Sequence, residues 1–261
     1  MQIIRIKETD STNTWVGRHE SELPAEALAY CLTQTAGRGQ RGNSWESEPG
    51  KNITASLILH PRNFPASSQF LISEAVALAL VEFLEKKGVE AKVKWPNDIY
   101  VGDKKICGIL VEHVITGRNI SRTIAGFGLN LNQEKFVSVA PNPVSLKMLT
   151  GISYSLEDSV AEVARLLQKA IGGLYAIEEE NQADENSVFR EIAKSHSELH
   201  VRFMQKLWRN DGKIYKFHDH KCDEPIQAAI SNVDTDGTLT LKLHDGERRS
   251  YLFKEIEFIL R

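Results

Sequence analysis

The stretch whose reading decides the fold runs from Ala91 to Leu131: AKVKWPNDIYVGDKKICGILVEHVITGRNISRTIAGFGLNL. It is rich in β-branched and aromatic residues. It is cut at Gly102-Asp103 and at Gly117-Arg118-Asn119, residue types that turn a chain between strands. Strands are therefore expected at Ala91 to Trp95, Ile99 to Val101, Lys105 to Thr116 and Ile120 to Leu131. Strands joined by such short turns lie antiparallel, which excludes a doubly wound parallel sheet. Pro96 ends the first strand and leaves Asn97 and Asp98 in a bend at its end.

Upstream, Gln2 to Ile6, Ala27 to Thr33 and Asn52 to Leu59 also read as strands, with Ser11 placed to cap a helix. Gln34 to Gly50 is too Gly-rich and polar for regular structure. Ser67 or Ser68 caps a long apolar-faced helix to Lys87, and Gly88 stands where a glycine stop belongs. Downstream, Leu156 to about Trp208 reads as two helices split near Asn181 to Asn186. Short strands follow at Lys213 to Phe217, Ile226 to Val233, Thr238 to Leu243 and Arg249 to Phe253, with hairpin turns at Asp236-Gly237 and Asp245-Gly246. The expected class is α+β: a mixed, largely antiparallel sheet with packed helices over residues 1–209, then a small β-barrel over 210–261.

The bulk composition narrows the function. A chain of 261 residues with 41% hydrophobic and 26% charged residues is an ordinary globular one, and a net charge of -3 argues against a protein built to grip nucleic acid. Cys31, Cys107 and Cys222 show no paired metal spacing and fit free thiols in a reducing cytoplasm. The N-terminus has no signal segment, and the longest apolar stretch, Val76 to Leu84, is too short to span a bilayer, so no membrane is expected.

The segment with most chemical content is Gln34-Thr-Ala-Gly-Arg-Gly-Gln-Arg-Gly-Asn-Ser-Trp45. Its glycines free backbone N–H groups to converge on an anion, Arg38 and Arg41 add charge for phosphate or carboxylate, and Trp45 offers an aromatic face. Taken alone it also reads as a basic surface loop. It is neither a P-loop nor a dinucleotide fingerprint, since no Gly-Lys-Ser/Thr ends it and no Gly-x-Gly-x-x-Gly opens a helix. About fifty residues later come Lys94-Trp-Pro-Asn-Asp98 and Lys105-Ile-Cys-Gly108, whose bland reading is a hairpin with solvated lysines. A third segment, Gly126-Phe-Gly128-Leu-Asn130-Leu-Asn132, places glycines inside a strand, where they mark a bulge or a close approach to backbone.

Two lesser signals are read as structural. His218, His220 and Cys222 alternate along a strand or loop, but no fourth ligand is near, so a solvated turn is expected rather than zinc. His196 and His200 lie one turn apart on what reads as an exposed helix face.

Together with Ser11-Thr-Asn13, the three segments occur in the order found in biotin–protein ligases, which this chain resembles strongly from about Ile4 to Asn132. The resemblance continues weakly to a closing segment at Phe253 to Leu260. It implies the family's class II synthetase-like fold with an SH3-like C-terminal barrel. It implies an ATP- and Mg²⁺-dependent enzyme that activates biotin as biotinyl-AMP and passes it to a lysine of a biotin carboxyl carrier protein of acetyl-CoA carboxylase or a related carboxylase. Ser11, Thr12, Asn13 and Gln34 would then line the biotin pocket. Arg38, Gly39 and Gln40 would close over the carboxylate and α-phosphate, Lys105 would contact both, and Gly37, Arg41 and Gly108 count among the binding residues. Lys94, Asn97, Asn130 and Trp45 fall on the ATP side, and Asp98 would orient or deprotonate the acceptor lysine. Gln40 and Asn43 depart from positions that are often basic in the family. The chain opens at the ligase segment, with no helix-turn-helix ahead of it, so neither DNA binding nor repression is expected. The oligomeric state is left open between monomer and homodimer. A lipoate ligase, a biotin-binding protein without catalysis and an RNA binder using the Gly-Arg-Gly tract are the rival readings.

Overall fold

β-Branched and apolar runs in the first half of the chain pair into one eight-stranded sheet, in a computed structural model that describes residues 1–137, 142–175 and 185–260, less the side chains at 41, 173, 175 and 185–193. The strands are β1 (Gln2–Thr9), β2 (Glu26–Gln34), β3 (Ile53–Leu59), β4 (Phe64–Pro65), β5 (Lys92–Lys94), β6 (Asp98–Val101), β7 (Lys104–Thr116) and β8 (Asn119–Leu129). Their order is β1-β2-β3-β8-β7-β6-β5, with β4 paired to β8. The strands expected between Ala91 and Leu131 are all present and antiparallel. The parallel pair is β1 with β2, and the crossover it needs is made by α1 (Thr12–Arg18). β8 stops two residues short of Leu131, because Asn130 and Asn132 leave the sheet to bond other segments: Asn130 donates to Val144 O at 3.1 Å and Asn132 to Tyr154 O at 2.8 Å.

Helix α2 (Phe70–Glu85) is apolar almost all round, and with the turn before it, Ala66–Glu85 is long and apolar enough to cross a membrane, contrary to the sequence expectation. A helix of that kind is either a membrane span or a core element. Here it is a core element: most of it is buried against the sheet, α4 (Leu156–Tyr175) and α5 (Glu185–Lys206), while the short α3 (Leu146–Thr150) lies outside that layer. Each fully buried Leu, Ile or Phe contributes about 1.5–3 kcal/mol, so this layer supplies much of the stability.

The sequence expectation for the α5 histidines is overturned. The face carrying them packs inward: the His196 ring lies 6.0 Å from that of Phe64, tilted to it, and His200 Nδ1 bonds Oε1 of the fully buried Glu74 of α2 at 2.8 Å. No sequence rule pairs residues 126 positions apart.

The tail forms a second, five-stranded antiparallel sheet, order β12-β11-β10-β9-β13, from β9 (Tyr215–Asp219), β10 (Glu224–Val233), β11 (Leu239–Leu243), β12 (Arg248–Tyr251) and β13 (Ile256–Phe258). At three residues, β13 is too short for periodicity to reveal it. The second sheet is fastened to the first by named contacts. Trp95 Nε1 donates to Gly237 O at 2.9 Å, Phe70 N donates to Thr235 O at 3.2 Å, and the Phe253 ring packs 5.3 Å from Trp95 and 6.0 Å from Phe70.

The Glu74–His200 pair ties stability to pH. The hydrogen bond that His200 donates to Glu74 holds the His200 pKa above its ordinary value, and burial raises that of the Glu74 carboxyl. Both folded-state values lie above the unfolded ones. The contribution of His200 is therefore complete below about pH 6.5, its unfolded value, and is lost as pH rises through its raised folded value. Thermal melts between pH 5.5 and 8.5 should show the melting temperature falling with rising pH, and falling less in a Glu74→Gln/His200→Gln double variant.

Candidate functional site

One cavity of about 380 Å³ gathers side chains from both sheets. Ser11, Thr12, Asn13, Gln34, Arg38, Gly39, Gln40, Trp45, Lys94, Asn97, Asp98, Lys105 and Gly108 all line it, although they span nearly a hundred residues of sequence.

Its deep end is polar and buried. Gln34 Oε1 accepts from Thr12 N at 2.9 Å, and Ser56 Oγ lies 2.7 Å from Thr12 Oγ1 and 2.6 Å from Asn13 Oδ1. Asn13 Nδ2 donates to Glu112 Oε2 at 2.8 Å, and Glu112 Oε1 takes Arg38 Nη2 at 2.6 Å. A chain of bonds thus runs from the pocket floor to the glycine loop. Asn13 reaches Glu112 because it crosses β8 at Gly126, where any Cβ would fall on its carboxamide. Ser11 begins α1 with extended backbone (φ −152°) and makes no capping bond, so its buried side chain is not spent on the helix.

The glycine loop is more ordered than its composition suggests. Trp45 N donates to Gly37 O at 2.8 Å and Gly39 N to Asn43 O at 2.7 Å, with a 3₁₀ turn over Gln40–Gly42 at the tip. It is a narrow hairpin rather than an irregular segment. Its base is anchored by the Trp45 ring, which lies against Gly108 and Gly128, and a Cβ at Gly128 would penetrate the indole. Trp45 Nε1 is buried with no partner among the described residues.

Across the loop stands a row of cations. Lys105 Nζ contacts Asp98 Oδ1 at 2.7 Å and lies 5.7 Å from the Trp45 ring centre. Lys94 Nζ lies between the rings of Tyr100 (5.1 Å) and Phe258 (5.3 Å), and burial pulls its pKa below that of an ordinary lysine, with Asp98 acting the other way. Asn97 is bonded into β7, donating to Ile109 O at 2.6 Å and accepting from Ile109 N at 2.8 Å, which fixes the bend that presents Asp98. The arrangement suits a ligand with a hydrogen-bonding head at the deep end and anionic groups at the other.

Some expectations fall elsewhere. Gly37 is buried behind the loop, and Asn130 is buried beside Val144 with Oδ1 unpartnered among the described residues, so neither lines the cavity. The side chain of Arg41 lies outside the described residues. The sequence reading did not select the C-terminal contributors His220, Lys254, Glu257 and Phe258, which line the cavity, nor Ser56 and Glu112, which do not line it but bond Thr12, Asn13 and Arg38, which do. Ser56 had a signal, a hydroxyl in the apolar run of β3, and Lys254, Glu257 and Phe258 fall in the closing segment Phe253 to Leu260, to which the sequence reading gave no role. Among the described residues no group of three or more His, Cys, Asp or Glu could hold a metal ion. His218 instead pairs with Asp223 at 3.0 Å and His220 with Glu257 at 3.6 Å.

A Gly126→Ala substitution should expel the Asn13 carboxamide from its place and break its bonds to Ser56 and Glu112. Overpacking of this kind costs about 1–3 kcal/mol, which urea denaturation would measure against the wild type.

Residues 4–130 match the profile of the biotin/lipoate A/B protein ligase family. The bifunctional ligase/repressor BirA of Bacillus subtilis (strain 168) is 36% identical over 115 residues, covering 44% of this chain and 35% of that protein. The biotin–[acetyl-CoA-carboxylase] ligase of Paracoccus denitrificans is 34% identical over 129 residues, covering 48% of this chain and 53% of that one. The matched region thus spans about a third to a half of these relatives' length. In three dimensions, the biotin protein ligase of Aquifex aeolicus in complex with biotin and ATP shares the fold over 98% of this chain and 97% of that one, with a TM-score of 0.73 at 21% identity. Residues 4–130 of this chain therefore belong to the biotin/lipoate A/B protein ligase family.

Proposed function

We propose that the chain is an ATP-dependent biotin–protein ligase that forms biotinyl-AMP and transfers the biotinyl group to a lysine of a biotin carboxyl carrier protein of acetyl-CoA carboxylase or a related carboxylase. The observation that carries this reading is the single cavity in which the polar Ser11–Asn13 end, the Gly-Arg-Gly loop and the Lys105–Asp98 pair meet. Two structural units, 1–209 for catalysis and 210–261 as an SH3-like appendage, a cytoplasmic location and no DNA-binding role complete the proposal. The mildly acidic composition supports the last point.

A carboxylate does not acylate an amine unaided, because oxide is its leaving group. In the first step a biotin carboxylate oxygen bonds the α-phosphorus of ATP, the bond from that phosphorus to the bridging oxygen breaks, and pyrophosphate leaves. Two anions must approach, and Lys105, Lys94 and Arg38 supply the opposing charge. Arg38 can leave Glu112 at little cost, since a half-exposed ion pair contributes at most about 1 kcal/mol. Mg²⁺ would ride on the phosphate oxygens with its waters, a role that fits a site without a carboxylate cage among the described residues. It would add further charge for the phosphates. Trp45, whose buried Nε1 is unpartnered among the described residues, is assigned to the nucleotide side; Asn130, which does not line the cavity, is not.

In the second step the neutral amine of the acceptor lysine bonds the biotinyl carbonyl carbon, the carbon–oxygen bond to phosphate breaks, and AMP leaves. A lysine with a pKa of about 10.4 is mostly protonated at neutral pH. Asp98, held at the cavity by the Asn97 bend, is assigned to accept its proton.

The deep end favours biotin over lipoate. Ser11, Thr12, Asn13 and Gln34 line it with hydroxyl and amide groups that a ureido ring can bond and a dithiolane ring cannot.

Biotin-dependent ATP–pyrophosphate exchange is expected in the wild type and should fall about 10²–10³-fold in Lys105→Ala. Exchange with lipoate but not biotin would overturn the substrate assignment, and absence of exchange with any acid would overturn the enzyme. Asp98→Ala should slow transfer from preformed biotinyl-AMP to the acceptor, and transfer at the wild-type rate would remove Asp98 from the second step.

A further inference from the structure

The turn joining β12 to β13 places a lysine where the backbone disfavours one. Glu255 N donates to Leu252 O at 3.1 Å, which puts Lys254 at the third position of a tight turn, with φ of 83°. Glycine or asparagine is the ordinary choice there, because a Cβ is strained at positive φ. The strain would be lost on any sliding of the turn, yet the turn is held from several sides. Phe253 is anchored beside Trp95 and Phe70, Lys221 Nζ holds Glu255 at 2.8 Å, and His220 N donates to Glu255 O at 2.8 Å.

The charges around it are already matched. Glu255 is paired with Lys221, Glu257 with His220, and His218 with Asp223. Lys254 lines the cavity and has no ion pair among the described residues. It shares that cavity with Lys94 and Lys105, which already act on each other electrostatically. Lys105 is paired with Asp98, yet Arg38, Lys94, Lys105 and Lys254 outnumber the lining carboxylates Asp98 and Glu257, a surplus of positive charge that matches a chain of phosphates better than a single carboxylate.

Taking the cleft to hold ATP, as proposed above, we infer that Lys254 binds the β- and γ-phosphates of ATP and the pyrophosphate that leaves, so that the C-terminal sheet supplies part of the polyphosphate site. The nucleotide would then be gripped from both sheets at once: the α-phosphate near Lys105 and the distal phosphates near Lys254.

The test uses the whole chain with Lys254→Gly, which suits the turn's backbone and should fold at least as well, and Lys254→Arg, which keeps the charge. Calorimetric titration with Mg–ATP and with pyrophosphate, without biotin, should show affinity about tenfold weaker in Lys254→Gly, the scale of one charge-assisted contact. Lys254→Arg should restore most of it. The Lys254→Gly melting temperature should be unchanged or higher, and its biotin affinity unchanged. Equal ATP and pyrophosphate affinity in wild type and Lys254→Gly overturns the assignment, as does a loss that Lys254→Arg fails to restore. These titrations do not need the chain to adenylate biotin, so failure of the exchange assay would sink the ligase reading while leaving this result to stand by itself.

Discussion

Two positions without side chains on β8, Gly126 and Gly128, set the layout of the cleft. Through Gly126 the Asn13 carboxamide passes to reach Glu112; on Gly128 the Trp45 indole rests. The first contact fixes the polar pocket at the start of α1, and the second fixes the root of the glycine loop. The strand they sit on is the central one of the sheet, flanked by β3 and β7. A rigid floor under a narrow, hydrogen-bonded hairpin is what a site needs if its anion-binding groups are to be positioned before the ligand arrives.

The charged groups over that floor are arranged in exchangeable pairs. Arg38 with Glu112 and Lys105 with Asp98 are both short contacts at partly exposed sites. Each pair neutralises its own members in the free protein. An incoming phosphate competes with a carboxylate rather than with bulk water alone. Lys94 is held differently, between two aromatic rings and away from solvent, where its charge is less screened.

Much of the fold was legible in local sequence, because its signals are local. The β7–β8 hairpin is announced by Gly117-Arg118-Asn119, and the β10–β11 and β11–β12 turns by Asp-Gly pairs. The helix pair after Leu156 follows from apolar spacing. The site was legible through residue types that strands rarely carry, such as Asn97-Asp98 after Pro96 or the clustered glycines before Trp45. What escaped was set by contacts between distant segments. Nothing near His200 shows that its partner is Glu74, nothing near Asn130 shows that it turns away from the sheet toward Val144, and three residues of β13 are too few to show a period. The order inside the glycine loop also escaped, since the bonds between Gly37 and Trp45 and between Gly39 and Asn43 are backbone bonds that no side chain encodes.

The Trp95–Gly237 bond and the lodging of Phe253 beside Trp95 have a bearing on how the two sheets can evolve and unfold. A strand assembly of some fifty residues buries too little apolar surface to be secure by itself. Here it borrows an aromatic cluster from the segment that carries Lys94, Asn97 and Asp98. A cut near residue 210 would therefore strip the small sheet of part of its interior and the cleft of one wall in the same stroke. The two parts are distinct in topology but share one interior, and inheritance or engineering that treats them as separable modules would separate neither cleanly.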